Sequence, residues 1–216
     1  MADRPVFVPV TSGVSLVAEI PLTFKWHPGM APSQKKKNIF ALHEAAQAIG
    51  LGPILEVSSK SGHELGRRLS AFSLMIDVSE QRMSIENAFQ GSKVFEKGGP
   101  YRDLYDVSSR EAKRDPRLRE SGRLVAFRLQ GRDFPLSPAT AFYDWLYIRA
   151  LYPHRKWLNL LDDCGGFSDI EFNPQRSLNC QARSCATFMS LKHRGLLDAS
   201  VENFDVFRGL LQGAAL

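Results

Sequence analysis

The sequence predicts an α+β domain that is mostly helical, and three observations predict it. Apolar residues recur at i, i+3 and i+4 spacing through several long segments, as on the buried face of a helix. Alternating, β-branched runs are few and short. The 216 residues contain no internal repeat, low-complexity tract or long linker, so one domain accommodates them. Its expected parts are N-terminal strands over 1–26, a core over 33–197 and a C-terminal helix over 198–216.

In chain order, residues 5–26 alternate through Val6, Val8, Val10, Val14, Leu16 and Ile20. This reads as two strands around a turn at Thr11–Ser12–Gly13. The loop His27–Pro28–Gly29 follows, then Ser33 as the N-cap of a helix to about Ile49, with Gly50 as its stop. Ile54–Ser58 reads as a short buried strand. Ser84 is placed to cap a helix to Lys97, ended by Gly98–Gly99. Ser108–Ser109 can cap a shorter one. Leu124–Leu129 alternates as a strand before a turn at Gln130–Gly131, and Ser137–Pro138 opens a helix to Tyr152, because proline suits a first helical position. Helices over Ala182–Lys192 and Val201–Gln212 complete the prediction.

Composition narrows the function classes. Hydrophobic residues make up 44% and charged residues 24%, an ordinary globular balance, and no apolar run is long enough to span a bilayer. The start, MADRPVFVPV, has no secretory pattern. Cys164, Cys180 and Cys185 form no CxxC pair, which points to free thiols in a reducing compartment, the cytoplasm by default. The net charge of +5 is compatible with nucleic acid and equally with a basic enzyme that never meets it. Two basic clusters stand out: Lys35, Lys36 and Lys37, and Arg110, Lys113, Arg114, Arg117 and Arg119. Walker A, GxGxxG, HExxH and GxSxG motifs are absent, and the five histidines show no metal spacing.

Five segments carry possible chemistry. Glu56 to Gly62 runs from a strand into small hydroxyl residues, with Ser59 and Lys60 at its end; it reads as a ligand loop or a plain surface turn. Leu69-Ser70-Ala71-Phe72 alone says little. In Ser84 to Phe95, Glu86, Gln90 and Lys93 fall at i, i+4 and i+7, presenting an acid, an amide and a cation on one helical face. Such a row can orient a sugar and deprotonate water, or merely support a solvated helix. Phe142 to Tyr147 is an aromatic stripe of the kind that usually fills a core. Asn173 to Ser184 crowds amides and arginines, Asn179 and Arg183 among them, into a loop and a helix start, a good diphosphate partner or a polar surface.

Two of these segments occur in a familiar order. Leu69-Ser70-Ala71-Phe72 is similar to the F-S-N-F box of NADAR, or YbiA-like, N-glycosidases, and Ser84 to Lys93 resembles their S-x-E-H-x-x-Q-A-x-K helix. Ala71, Asn87 and Gly91 depart from the pattern, and Asn173 to Arg183 stands where the family has a W-G-D-G loop. With the segments FKWHPGMAPSQKKKN and ILEVSSKS, the chain resembles, over about 22–195, the NADAR branch paired with DarT-type toxins. Those toxins attach ADP-ribose to guanine in DNA, and the NADAR partner removes it.

The resemblance implies cleavage of the bond between guanine and the anomeric carbon of ADP-ribose on single-stranded DNA. ADP-ribose would be a product and a DarT-type toxin the functional partner, with no membrane, metal or organic cofactor involved. Glu86 is chosen as the carboxylate facing the developing positive charge; the resemblance implies a lysine role without fixing its position, and Lys60 is chosen for it, as an acid or amine nucleophile. Asp169 is a second acid–base candidate. Ser59, Ser70, Phe72, Gln90, Lys93, Asn179 and Arg183 are the expected ADP-ribose contacts. The rival expectations are an N-glycosidase of small phosphorylated metabolites, such as riboflavin-pathway intermediates, and a binder of ADP-ribose or DNA without turnover.

Overall fold

A computed structural model of the chain describes residues 1–155 and 157–213. Strands β1 (Ala2–Pro9) and β2 (Val17–Phe24) form the expected hairpin, in register from Ala2↔Phe24 to Pro9↔Val17, so the connection is wider than the predicted Thr11–Ser12–Gly13 turn. Helix α1 spans Pro32–Ala48. It starts before Ser33, because Pro32 already has the backbone angle of a first helical turn, and its N-cap is Ala31 rather than a hydroxyl residue. Strand β3 (Ile54–Glu56) and the short helix α2 (Glu64–Arg68) follow, then the hairpin β4 (Met75–Val78) and β5 (Gln81–Ser84).

Helix α3 occupies only Ile85–Gly91, not the predicted span to Lys97. Ser84 caps it as expected, its hydroxyl accepting from the Asn87 N–H at 3.1 Å. Beyond Gly91 the chain turns extended, and Lys93–Phe95 becomes β6, paired with β7 (Leu124–Leu129). Backbone pairing across a sheet here overrides a helical sequence pattern. Gly91 is also a forced choice: a Cβ there would lie 2.3 Å from a Tyr105 ring carbon.

A 3-10 turn at Arg102–Tyr105 leads to α4 (Ser109–Arg114), closed by the predicted Ser108 cap in a reciprocal arrangement with Glu111. Then come α5 (Arg117–Glu120) and β8 (Arg132–Phe134), joined to β7 through Gln130 and Gly131, both at positive φ. Helix α6 (Ala141–Leu151) begins after the Ser137–Pro138 start, because Pro138 closes a turn whose carbonyl accepts from the Ala141 N–H at 3.0 Å. Strand β9 is Gly166–Ser168 and helix α7 is Gln181–His193. The predicted C-terminal helix is two: α8 (Leu197–Glu202) and α9 (Phe204–Leu211), separated by Asn203, whose side chain accepts from Asp205 N–H. Residues 214–216 of the expected C-terminal segment lie outside the described residues. Helices make up 42% of the chain, and the predicted α+β, mostly helical class holds.

The principal sheet has the order β2-β1-β9-β3, antiparallel except where β3 and β9 run parallel from Ile54↔Gly166 to Glu56↔Ser168. At its edge the backbones of Gly165 and Gly52 touch; a Cβ on Gly165 would stand 2.7 Å from Gly52 N. Helix α6 is the centre of the main core: all its residues except Arg149 are buried. The aromatic stripe of Phe142 to Tyr147 is therefore packing, with Phe142 and Phe127 stacked at 4.5 Å and Tyr147 Oη donating to Leu69 O at 2.6 Å. A smaller core, including Val6, Leu22, Leu42 and Ile170, seals α1 onto the hairpin.

Candidate active site

Glu86 lies one residue into α3, buried to 5% exposure. Its backbone N–H donates to Ala71 O at 3.1 Å, fixing the helix start against the Ser70–Phe72 turn. Its Oε1 accepts from Gln90 Nε2 at 2.8 Å, and Gln90 Oε1 accepts from Lys93 Nζ at 2.7 Å. The acid–amide–cation row therefore exists, although Lys93 enters it from the first position of β6 rather than from a helix. Lys93 Nζ also lies 4.7 Å from the centre of the Phe89 ring. Burial lowers its pKa to about 8, Glu86 opposes that fall, and Lys113 adds to it.

Lys113 supplies a second cation from α4. Its Nζ is 3.9 Å from Glu86 Oε1 and 5.3 Å from the centre of the Phe72 ring. Asn87 explains its position. The Asn87 amide donates to Leu104 O at 2.6 Å and to Val107 O at 2.8 Å, and its carbonyl accepts from Ser109 Oγ at 3.0 Å. The residue that departs from the family histidine thus staples α3 to the start of α4.

Asp169 follows β9 and is also buried. Desolvation lifts its pKa to about 6, against hydrogen bonds from Glu171 N–H and Gln181 and the field of Lys113. Gln181 Oε1 in turn accepts from the Ala71 N–H at 2.8 Å, so Ala71 ties α7 to the start of α3. Tyr143 of α6 joins the two halves: burial holds its hydroxyl well above 10, and the charges of Glu86, Cys180, Asp169 and Asp144 push the same way.

Behind Asp169 sits Glu56, at the end of β3. It accepts from Ser58 Oγ and Ser168 Oγ at 2.6 Å each and from Ile170 N–H at 2.9 Å, and His43 Nε2 lies 2.9 Å from Ser168 Oγ. Burial first, then Asp169, holds the Glu56 carboxyl well above the usual carboxylate range. The arrangement anchors the loop carrying Ser59 and Lys60, both exposed, to the segment carrying Asp169.

A family model of DarT1-associated NADAR antitoxins matches residues 2–216. The chain belongs to that family. The match extends beyond the 22–195 span of the sequence resemblance at both ends. Comparison with curated proteins found no match. Among the described residues of this NADAR domain, no helix is long and apolar enough to cross a membrane.

The remaining residues expected at the NADAR site separate into two groups. Ser70 is buried with its hydroxyl accepting from Phe72 N–H at 3.3 Å, while the Phe72 ring is 40% exposed. Asn179 has a buried side-chain oxygen with no protein partner, a group prepared for an outside donor. Arg183 instead donates to Thr140 Oγ1 at 2.9 Å and carries its charge toward buried Asp144. Sequence spacing alone does not single out Lys113, Gln181, Tyr143 or Glu56 as site residues. For Gln181 a signal existed in the amide-rich Asn173–Ser184 segment, whereas Tyr143 was hidden in an aromatic core stripe.

Proposed function

We propose that the chain hydrolyses the N-glycosidic bond between ADP-ribose and guanine in single-stranded DNA, reversing the modification made by a DarT1 toxin. The observation that carries this reading is the buried Glu86 carboxylate, held by Gln90 and flanked by Lys93 and Lys113. Membership of an antitoxin family named for DarT1 supports it, as does the general N-glycosidase character of NADAR proteins.

Breaking this bond builds positive charge on the anomeric carbon, and an oriented carboxylate stabilises that charge. Glu86 is assigned that role. Lys113 and Lys93 beside it suit the diphosphate, the unpartnered Asn179 carbonyl suits a ribose hydroxyl, and the Phe72 face suits a ring. Asp169, tied through Gln181 and Ala71 to the start of α3, is assigned to proton transfer.

Lys60 is assigned as the amine nucleophile: once it has given up its proton it attacks the anomeric carbon of the opened sugar, the guanine nitrogen takes up a proton and leaves, and water then cleaves the resulting imine to free ADP-ribose. The Lys60 side chain is exposed on a loop anchored by Glu56. The lowered pKa of Lys93 favours a second reading, in which that residue supplies the neutral amine.

Chromatography of the products from an ADP-ribosylated oligonucleotide tests the function: free ADP-ribose and unmodified oligonucleotide are expected. Glu86→Ala should lower kcat by about a hundredfold to ten-thousandfold while leaving ADP-ribose affinity within a few-fold. Wild-type turnover in that variant refutes the assignment. Borohydride with substrate should trap an adduct on the peptide bearing Lys60, and Lys60→Arg should abolish trapping, since guanidinium forms no imine. Trapping on the Lys93 peptide selects the second reading.

A further inference from the structure

The outer face of α1 carries a feature that the proposed chemistry does not use. Phe40 is 63% exposed, and its ring forms a wall shared by two cavities, of about 310 and 510 Å³. Neither cavity is lined by Glu86, Gln90 or Lys93. The smaller has an apolar floor of Leu51, Pro53 and Ile54, with His43 beside it. The larger is bounded by Lys25, His27, Lys36 and Lys37. Glu44 is the one acidic residue lining either.

The basic side is built. Asn38 accepts from the backbone N–H of His27 at 2.7 Å and donates to its carbonyl at 2.9 Å, locking the loop after β2 against the helix. Lys35, the neighbour of this group, is spent inward on Glu171 at 2.9 Å. Lys25, Lys36 and Lys37 are exposed and form no ion pair among the described residues. In the second basic cluster Arg117 is neutralised by Asp103 and Asp115, and Lys113 is turned onto Glu86.

We infer that this face binds single-stranded nucleic acid, with an unpaired base on the Phe40 ring and the flanking phosphates on Lys25, Lys36 and Lys37. One exposed ring among uncompensated cations is the combination that unpaired strands use: stacking for the base, charge for the backbone. A duplex keeps its bases stacked on one another and offers no face to the ring. A folded protein partner would call for a broader and less basic apolar patch than Phe40 with Leu51, Pro53 and Ile54. The helix that carries this face also reaches the active-site frame, through His43–Ser168 and Lys35–Glu171. The purpose of the face, to hold the strand flanking the modified base, rests on the proposed DNA substrate.

The test measures binding and chemistry separately. Fluorescence anisotropy with a labelled oligothymidylate, unmodified, reports the face alone. Phe40→Ala should weaken binding about tenfold, the scale of one lost base stack. The Lys36→Glu, Lys37→Glu double variant should weaken it further and reduce the salt slope by about 1.4, from two lost phosphate contacts. Hydrolysis of ADP-ribosylated free guanosine should be unchanged in both variants, which also shows that they fold. Oligonucleotide binding at wild-type strength in both variants overturns the inference. So does a result in which polyglutamate displaces the oligonucleotide as well as unlabelled strand does, or in which the variants lose only toxin binding. If the wild-type chain binds oligonucleotide but releases no ADP-ribose from any substrate, the proposed function fails and this inference stands.

Discussion

Replacing Lys93 by methionine should stabilise the chain at neutral pH and destabilise it at high pH. In the folded protein burial brings the lysine to about 8, against an ordinary value of 10.5. At 1.36 kcal/mol per pH unit that difference is worth about 3 kcal/mol against folding with the ammonium charged. The side chain is only partly covered, so solvent screening reduces this to about 2 kcal/mol. Methionine removes the charge but leaves Gln90 Oε1 buried without its 2.7 Å donor, a loss of about 1 kcal/mol.

The net expectation at pH 7 is a gain of about 1 kcal/mol, or roughly 2–4 °C in Tm for a chain of this size. The sign of the pH dependence follows from proton uptake. Between pH 8 and 10.5 the unfolded lysine holds a proton that the folded one has lost, so the wild type gains stability with rising pH and the variant does not. The Tm difference should therefore shrink above pH 8 and change sign before pH 10.5. Paired thermal unfolding of both proteins from pH 7 to 10 measures it. A variant that is less stable by the same margin at every pH refutes the reasoning, since Lys93 would then be a cation the fold favours.

Asp169 gives a second pH test. If its ionised form acts, kcat/KM should rise as pH increases through about 6, and Asp169→Asn should be slow and lack that limb; an unchanged acid limb in the variant removes Asp169 from the mechanism. For stability, Phe142→Ala should cost about 3–5 kcal/mol in urea unfolding, because the ring is fully enclosed among Phe127, Phe134 and Phe89; a loss under about 1 kcal/mol contradicts that packing.

Much of the α+β class was legible because hydrophobic spacing reports burial, and burial decides most of α1, α6 and α7. The caps at Ser84 and Ser108 were readable because they depend on neighbours three residues away. The length of α3 was not. Whether Val94 continues a helix or pairs with Ala126 is decided by a strand more than thirty residues later, outside any local window. Glu86 and Gln90 could be linked from sequence because i and i+4 share a face. Lys113 could not, since its approach to Glu86 depends on how Asn87 grips the turn before α4. Glu56 and Asp169 illustrate the same limit: each is an ordinary acidic residue until β3 and β9 lie side by side.

That parallel pairing also joins segments that are synthesised far apart in time. Ile54 to Glu56 must wait for Gly166 to Ser168, and parallel contacts between such distant segments form slowly because a long loop closes before they reward it. A nascent chain therefore exposes Glu86 and Gln90 early in synthesis, with no Asp169 segment to set beside them. Helix α7, which supplies the Gln181 tie to Ala71, emerges later still. A product that stops before β9 lacks both Asp169 and the Gln181 tie to Ala71.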